Sequence, residues 1–144
     1  MNPLTLLRKD HREVKDLLKQ ASDADTAQKQ KLFEQIKSEL QVHEAIEEEI
    51  FYPALKEHPK TKELALEAYE EHHVVDQVMS ELDALSPDDE TWDAKFSVME
   101  ENLKHHINEE EREMFEQAEK VFSDDELEQL GDQMLRRKEQ LGGA

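Results

Sequence analysis

No cysteine occurs in the 144 residues, which excludes disulfides, thiolate-bound zinc, iron–sulfur clusters and a cysteine nucleophile. Any metal must be held by nitrogen and oxygen. Glycine and proline are scarce, with three and four residues, and 36% of the chain is hydrophobic against 38% charged. That balance suits long helices with solvated outer faces better than sheets. Long apolar runs are also missing, so no membrane span is expected. The start, MNPLTLLRKDH, lacks the basic opening and apolar middle of a signal peptide, which makes the cytoplasm the expected location. Positive charge is short as well: a net charge of −19 repels phosphate backbones and anionic lipid, and Arg136-Arg137-Lys138 is the one basic cluster. Neither nucleic acid nor a membrane is expected as a partner.

The length fits one domain over residues 1–144 with a single core. Helix punctuation divides it. Asn2-Pro3 is a cap followed by proline at the first helical position, and the first helix runs to about Ser22. A second runs from about Thr26 to Lys56 with Pro53 marking a kink or its last turns, and a third from about Lys60 to Leu85. Ser86-Pro87-Asp88-Asp89 repeats the cap-then-proline signal and is expected to open a fourth helix, to about Val121. Ser123 to Glu126 is a capping box for a short fifth helix over about 124–141, ended by Gly142-Gly143. Short connections make consecutive helices antiparallel neighbours, so the expectation is an all-α, up-down-up-down four-helix bundle over about 3–121 with a C-terminal helix. Leu127, Leu130, Met134, Leu135 and Leu141 of that last helix either cover the bundle or meet a partner; the acidic outer faces carry no apolar seam that fixes an oligomeric state.

What the chain does have is a duplicated pairing of histidine and acid. Asp10-His11 leads to His43-xxx-Glu47, and Glu71-His72 leads to His106-xxx-Glu110, with histidine offsets of 32 and 34 residues. Two copies of one hairpin each deliver two imidazoles and one carboxylate, an inventory for two metal ions. Helical periodicity selects among the seven histidines. His11 shares a stripe with Leu4, Leu7, Val14 and Leu18; His43 and Glu47 with Ile36, Leu40 and Ile50. His72 lines up with Ala68, Val75, Met79 and Leu82; His106 and Glu110 with Phe96, Met99, Leu103 and Met114. His73 and His105 sit about 100° around the helix from their neighbours, and His58 falls in a Glu-His-Pro break, so these three are second choices. A lone histidine on an apolar stripe is more often a hydrogen-bonded core residue than a ligand. Here four histidines come with two glutamates and no lysine or arginine on the same stripes, and burying two such carboxylates costs several kcal/mol each unless a cation compensates.

A sulfur-free donor set suits iron or manganese, with zinc less favoured. The Glu-x-x-His order of ferritin-type bundles occurs once, at Glu70 and His73, and the zinc-protease motif lacks its second histidine. The order found here, HEAIEEEIFYP at 43 to 53 and HHINEEEREMF at 105 to 115, resembles the hemerythrin-like, or HHE cation-binding, family. DHREV at 10 to 14 and EEHHVV at 70 to 75 resemble its other two histidine segments. The resemblance implies two iron ions, joined by an oxo or hydroxo bridge and bridged by glutamates, with manganese less favoured. Its ligands would be His11, His43, Glu47, His72, His106 and Glu110. It also implies a small partner, oxygen, peroxide or nitric oxide, with peroxide decomposition or oxidase-type turnover as the enzymatic form. The alternative is an iron-binding or redox-sensing module whose metal mainly stabilises the fold. One departure stands out: oxygen-carrying hemerythrins have a histidine four residues after the third-helix histidine, where this chain has Asp76. Each iron would then have two histidines and two carboxylate oxygens, unless Asp76 or Glu44 adds another. Tyr69, one turn from His72, either reaches the site from its edge or packs at the core rim.

Overall fold

A computed structural model describes residues 1–142 and, among them, contains helices and no strands. Helix α1 spans Pro3–Ser22, with the Asn2 side chain accepting from the Leu4 amide at 2.8 Å. Helix α2 occupies residues 26–56 and begins at an Asp25 cap that accepts from the Gln28 amide. Helix α3 is Pro59–Asp83, α4 occupies residues 92–121, and α5 is Asp124–Gln140. The capping box at Ser123 and Glu126 is formed in both directions. Gly142 takes a φ of 83°, open to glycine at little cost, while Gly143 lies outside the described residues.

Pro53 lies in the last turns of α2, and the irregularity of that helix precedes it, as a π-helical turn over Glu47–Phe51 that the sequence pattern does not announce. α4 has the same turn over Glu110–Met114 with no proline nearby, so the wider turn follows the buried glutamate that starts it and not the imino acid. π-turns recur at functional sites because the extra residue re-aims side chains. In α2 it moves Ile50 to a half-buried flank and places Phe51 and Tyr52 in the core. One expectation about helix shape is corrected: α4 starts at Trp92 instead of at residues 86–89. The Ser86 and Asp89 side chains bond the amides of Asp88 and Thr91 at 3.3 and 2.8 Å, so the cap-like residues close local turns instead of opening a helix.

Apolar side chains form two clusters. One gathers Leu4, Leu7, Phe51, Leu55, Phe115 and Met134; the other Val14, Phe33, Ile36, Val75, Trp92 and Met99. Along α1 the change falls at His11, between Leu7 and Val14; along α3 it falls at His72, between Ala68 and Val75. His43 and Glu47 occupy the same level in α2, and His106 and Glu110 in α4. A polar layer therefore divides the interior. α5 lays Leu127 and Met134 into the first cluster, with Leu130 and Leu135 half-buried against it and Leu141 exposed, so its apolar face covers the body of the protein. Gly131 makes that docking close: a Cβ there would lie 1.6 Å from the Met1 carbonyl oxygen.

Candidate metal centre

The four histidines and two glutamates of the apolar stripes are all buried and converge on the polar layer. His11 Nε2 lies 3.0 Å from Glu110 Oε1, and His43 Nε2 lies 3.1 Å from Glu47 Oε1. His72 Nε2 is 3.2 Å from Glu47 Oε1, and His106 Nε2 is 3.5 Å from Glu110 Oε2. Each glutamate thus meets one histidine of the first hairpin and one of the second. Donor atoms of His11, His43, Glu47 and Glu110 fall within 4.8 Å of one another, and so do those of Glu47, His72 and His106. The two groups share Glu47.

Every one of these imidazoles has its outward nitrogen held by a carboxylate. Nδ1 of His11 pairs with Glu111 at 2.6 Å, His43 with Asp10 at 2.9 Å, His72 with Glu48 at 2.7 Å, and His106 with Glu71 at 2.7 Å. An acceptor at Nδ1 keeps the proton there in the neutral ring and leaves the Nε2 lone pair facing inward, which is the tautomer a metal needs. The duplication explains the pattern. Asp10 and Glu71, each just before a stripe histidine, serve the histidine of the following helix; Glu48 and Glu111, each just after a buried glutamate, serve His72 and His11. Sequence reasoning gave these four acids no such role, although their signal was present in the repeated acid-histidine pairs and Glu-Glu runs.

Hydrogen bonding tests whether this donor set suits cations. Among the described residues, six buried side-chain atoms lack a hydrogen-bond partner: His11 Nε2, both Glu47 oxygens, His106 Nε2, Glu110 Oε1 and Trp92 Nε1. All but the indole belong to the two groups. Buried polar atoms are almost always satisfied, and an unpaired carboxylate is the costliest exception. Nitrogen and oxygen atoms converging in this way offer, once the imidazoles are neutral, lone pairs that fit cations preferring imidazole and carboxylate.

Protonation in the metal-free protein follows the same geometry. Burial pushes the His43 imidazolium down, but Glu47 and Asp10 outweigh it and raise the group to about 10. His72 behaves alike: burial opposes the charge, and Glu47, Glu48 and Glu44 raise it to about 11. Burial also works against ionised Glu47, yet His43 and His72 hold it well below the usual carboxylate range. Protons on the imidazoles thus supply positive charge that a metal would otherwise bring.

Tyr52 is a further residue that the sequence pattern did not single out. The extra residue of the π-turn carries it into the core, where its hydroxyl donates to Glu110 Oε2 and lies 3.3 Å from His72 Nε2. Burial and the neighbouring Glu110 carboxylate push the phenol well above its usual range, so it keeps its proton. Phe115, at the corresponding place after the second π-turn, stacks on His11 with centroids 6.0 Å apart. Among the residues held open, Tyr69 donates to the Glu48 carbonyl oxygen at 3.0 Å, at the rim. Glu44 is buried with a carboxylate oxygen 3.9 Å from His72 Nδ1, whereas Asp76 is exposed and outside the convergent donor groups. His73 and His105 are exposed, and His58 packs edge-on against Phe122 in the break between α2 and α3.

Comparison with known proteins finds cation-binding helical domains. The family model described as "Hemerythrin HHE cation binding domain" matches residues 2–118. The uncharacterized protein Rv2633c of Mycobacterium tuberculosis is 33% identical over 149 residues, covering 100% of this chain and 89% of that protein. A DNA nickase of a Nostoc species is 26% identical over 151 residues; the match takes in 99% of this chain and 42% of the nickase. Among solved structures, a hemerythrin HHE cation-binding domain-containing protein from Mycobacterium kansasii, a homologue of Rv2633c, superposes with a TM-score of 0.87 at 30% identity, covering 98% of this chain and 87% of that one.

Proposed function

The chain belongs to the hemerythrin HHE cation-binding domain family, and on that premise we propose that it is a non-haem di-iron protein acting on oxygen, peroxide or nitric oxide. His11, His43, Glu47, His72, His106 and Glu110 are the proposed ligands, on four helices running alternately up and down. The observation that carries this reading is the pair of donor groups sharing Glu47, with five of their inward atoms otherwise unpartnered. Both glutamates are proposed to bridge, since each meets an imidazole from both hairpins. Iron is favoured over manganese by the imidazole content, and zinc is less suited to a paired centre of this kind.

Iron would supply reversible electron exchange and open coordination positions for a small ligand. The protein's own residues do the rest. Asp10, Glu48, Glu71 and Glu111 orient the four imidazoles, and the apolar clusters above and below exclude bulk water. A cavity of about 10 Å³ adjoins the site between Val14, Leu40, Val75, Leu103 and Ile107, room for a molecule of about the size of water. Tyr52, protonated and hydrogen-bonded to Glu110, holds its proton at the hydroxyl and so orients that carboxylate.

Anaerobic reduction of the iron-loaded protein, followed by oxygen, peroxide or nitric oxide, tests the reactive reading by absorbance. A new band with at least one ligand is the expected result. No change with any of the three, together with a large metal-linked rise in melting temperature, would favour the stabilising or sensing module instead. The face assignment has its own test, an alanine comparison of four histidines. His72→Ala and His106→Ala are expected to weaken iron binding by at least about tenfold, while His73→Ala and His105→Ala leave it unchanged. Equal losses at His73 or His105 would mean that the wrong histidines were chosen.

A further inference from the structure

The run Arg136-Arg137-Lys138 lies outside the duplicated hairpins, yet two of its side chains reach back to the first half of the site. Arg137 holds Glu49 through Nε and Nη2 at 3.1 and 3.2 Å, tying α5 to the π-turn that begins at Glu47. Lys138 goes deeper. It is 6% exposed, and its Nζ donates to Asp10 Oδ1 at 2.7 Å while Asp10 Oδ2 pairs with His43 Nδ1 at 2.9 Å. The line from Lys138 through Asp10 therefore ends at His43 Nε2, 3.1 Å from Glu47. In the second half, Glu71 takes the place of Asp10 beside His106, but its side chain is 28% exposed, and among the described residues no lysine or arginine pairs with it. The duplication is broken at this point by a residue that lies beyond the family match over residues 2–118.

We propose that Lys138 is a positioning residue for the His11/His43 half of the metal centre, acting through Asp10, so that the last helix governs one of the two metal positions. The inference rests on the di-iron reading above. A buried aspartate needs a countercharge, and Lys138 supplies one on the side away from the metal. With Oδ1 held by Lys138, Asp10 is fixed as the acceptor whose Oδ2 sets the His43 ring, with Nε2 directed at Glu47. Lys138 also lines, together with Asp10 and His43, a groove of about 240 Å³ whose walls include Glu13, Gln35, Ser38 and Glu39. Loss of the lysine would free Asp10 to turn toward that groove and release the imidazole.

Anaerobic iron(II) titration of the full chain tests this, with Lys138→Met, Asp10→Asn and the double variant beside wild type. Wild type is expected to bind two ions. Lys138→Met should weaken one of them by about 10- to 100-fold, the range for outer-shell partners, and leave the other within about threefold. In iron-57 Mössbauer spectra, one quadrupole doublet should move and the other stay. Since Lys138 acts through Asp10, adding Lys138→Met to Asp10→Asn should cause no further loss. The double variant buries no unpaired charge, so this comparison holds even where Lys138→Met alone folds poorly. Two ions bound by wild type with unchanged affinities in Lys138→Met, equal weakening of both ions, or additive losses in the double variant would overturn the role of Lys138 alone. No iron bound by wild type would remove the di-iron reading and this inference with it.

Discussion

Glu47→Ala is expected to lower bound iron from two ions per chain to one or none, and Glu110→Ala to do the same. Each carboxylate stands between imidazoles from both hairpins, so removing either takes a donor from both proposed positions at once. The metal-free protein should suffer too. Glu47 is the common partner of His43 and His72, whose imidazolium forms it stabilises. Breaking a buried ion pair from one side typically costs about 3–5 kcal/mol, because the remaining charge has no partner. Iron analysis and urea unfolding of the metal-free variants measure the two effects separately. Retention of two tightly held ions by either variant would show that the carboxylate does not bridge.

Metal uptake is expected to release at least two protons per chain near neutral pH, from His43 and His72, whose metal-free values are raised to about 10 and about 11. Apparent affinity should then rise by about one decade per pH unit for each proton displaced, hence about 100-fold between pH 6.5 and 7.5. The metal-free protein responds in the opposite sense. A histidine raised above its unfolded value of about 6.5 contributes stability that is fully present below that pH and is lost as pH climbs through the folded value. Metal-free stability should therefore fall between pH 6.5 and about 11 as these protons leave, while the metal-loaded protein gains relative to it. Calorimetric titration in buffers of different ionisation enthalpy counts the protons. Uptake without proton release would mean that His43 and His72 are already neutral, or are not ligands.

Much of this arrangement was legible in the sequence because two periodicities coincide. Spacing of three and four places His11, His43, His72 and His106 on apolar stripes, and the duplication repeats the placement. Burial of these four, and exposure of His73 and His105, follows from helical geometry alone. Helix ends set by caps were equally readable at Asn2 and Ser123. What escaped was whatever depends on tertiary context. The π-turns at Glu47 and Glu110 leave no propensity signal, and the one after Glu47 carried Tyr52 into the site unannounced. Ser86 and Asp89 have the right residues for a helix start but satisfy their own turn, because a capping side chain bonds whichever amide is nearest. Asp76 has the spacing of a ligand in oxygen carriers, yet the stripe continues through Val75 and leaves Asp76 outside. Lys138, more than 120 residues from Asp10 in the chain, could not be paired with it from spacing at all.

The most direct test of a paired iron centre is anomalous diffraction at the iron edge from crystals of the iron-loaded protein. A paired centre gives two adjacent peaks in the polar layer, one contacted by His11 and His43 and the other by His72 and His106, with Glu47 and Glu110 reaching both. A single peak, or peaks away from these six side chains, would contradict it.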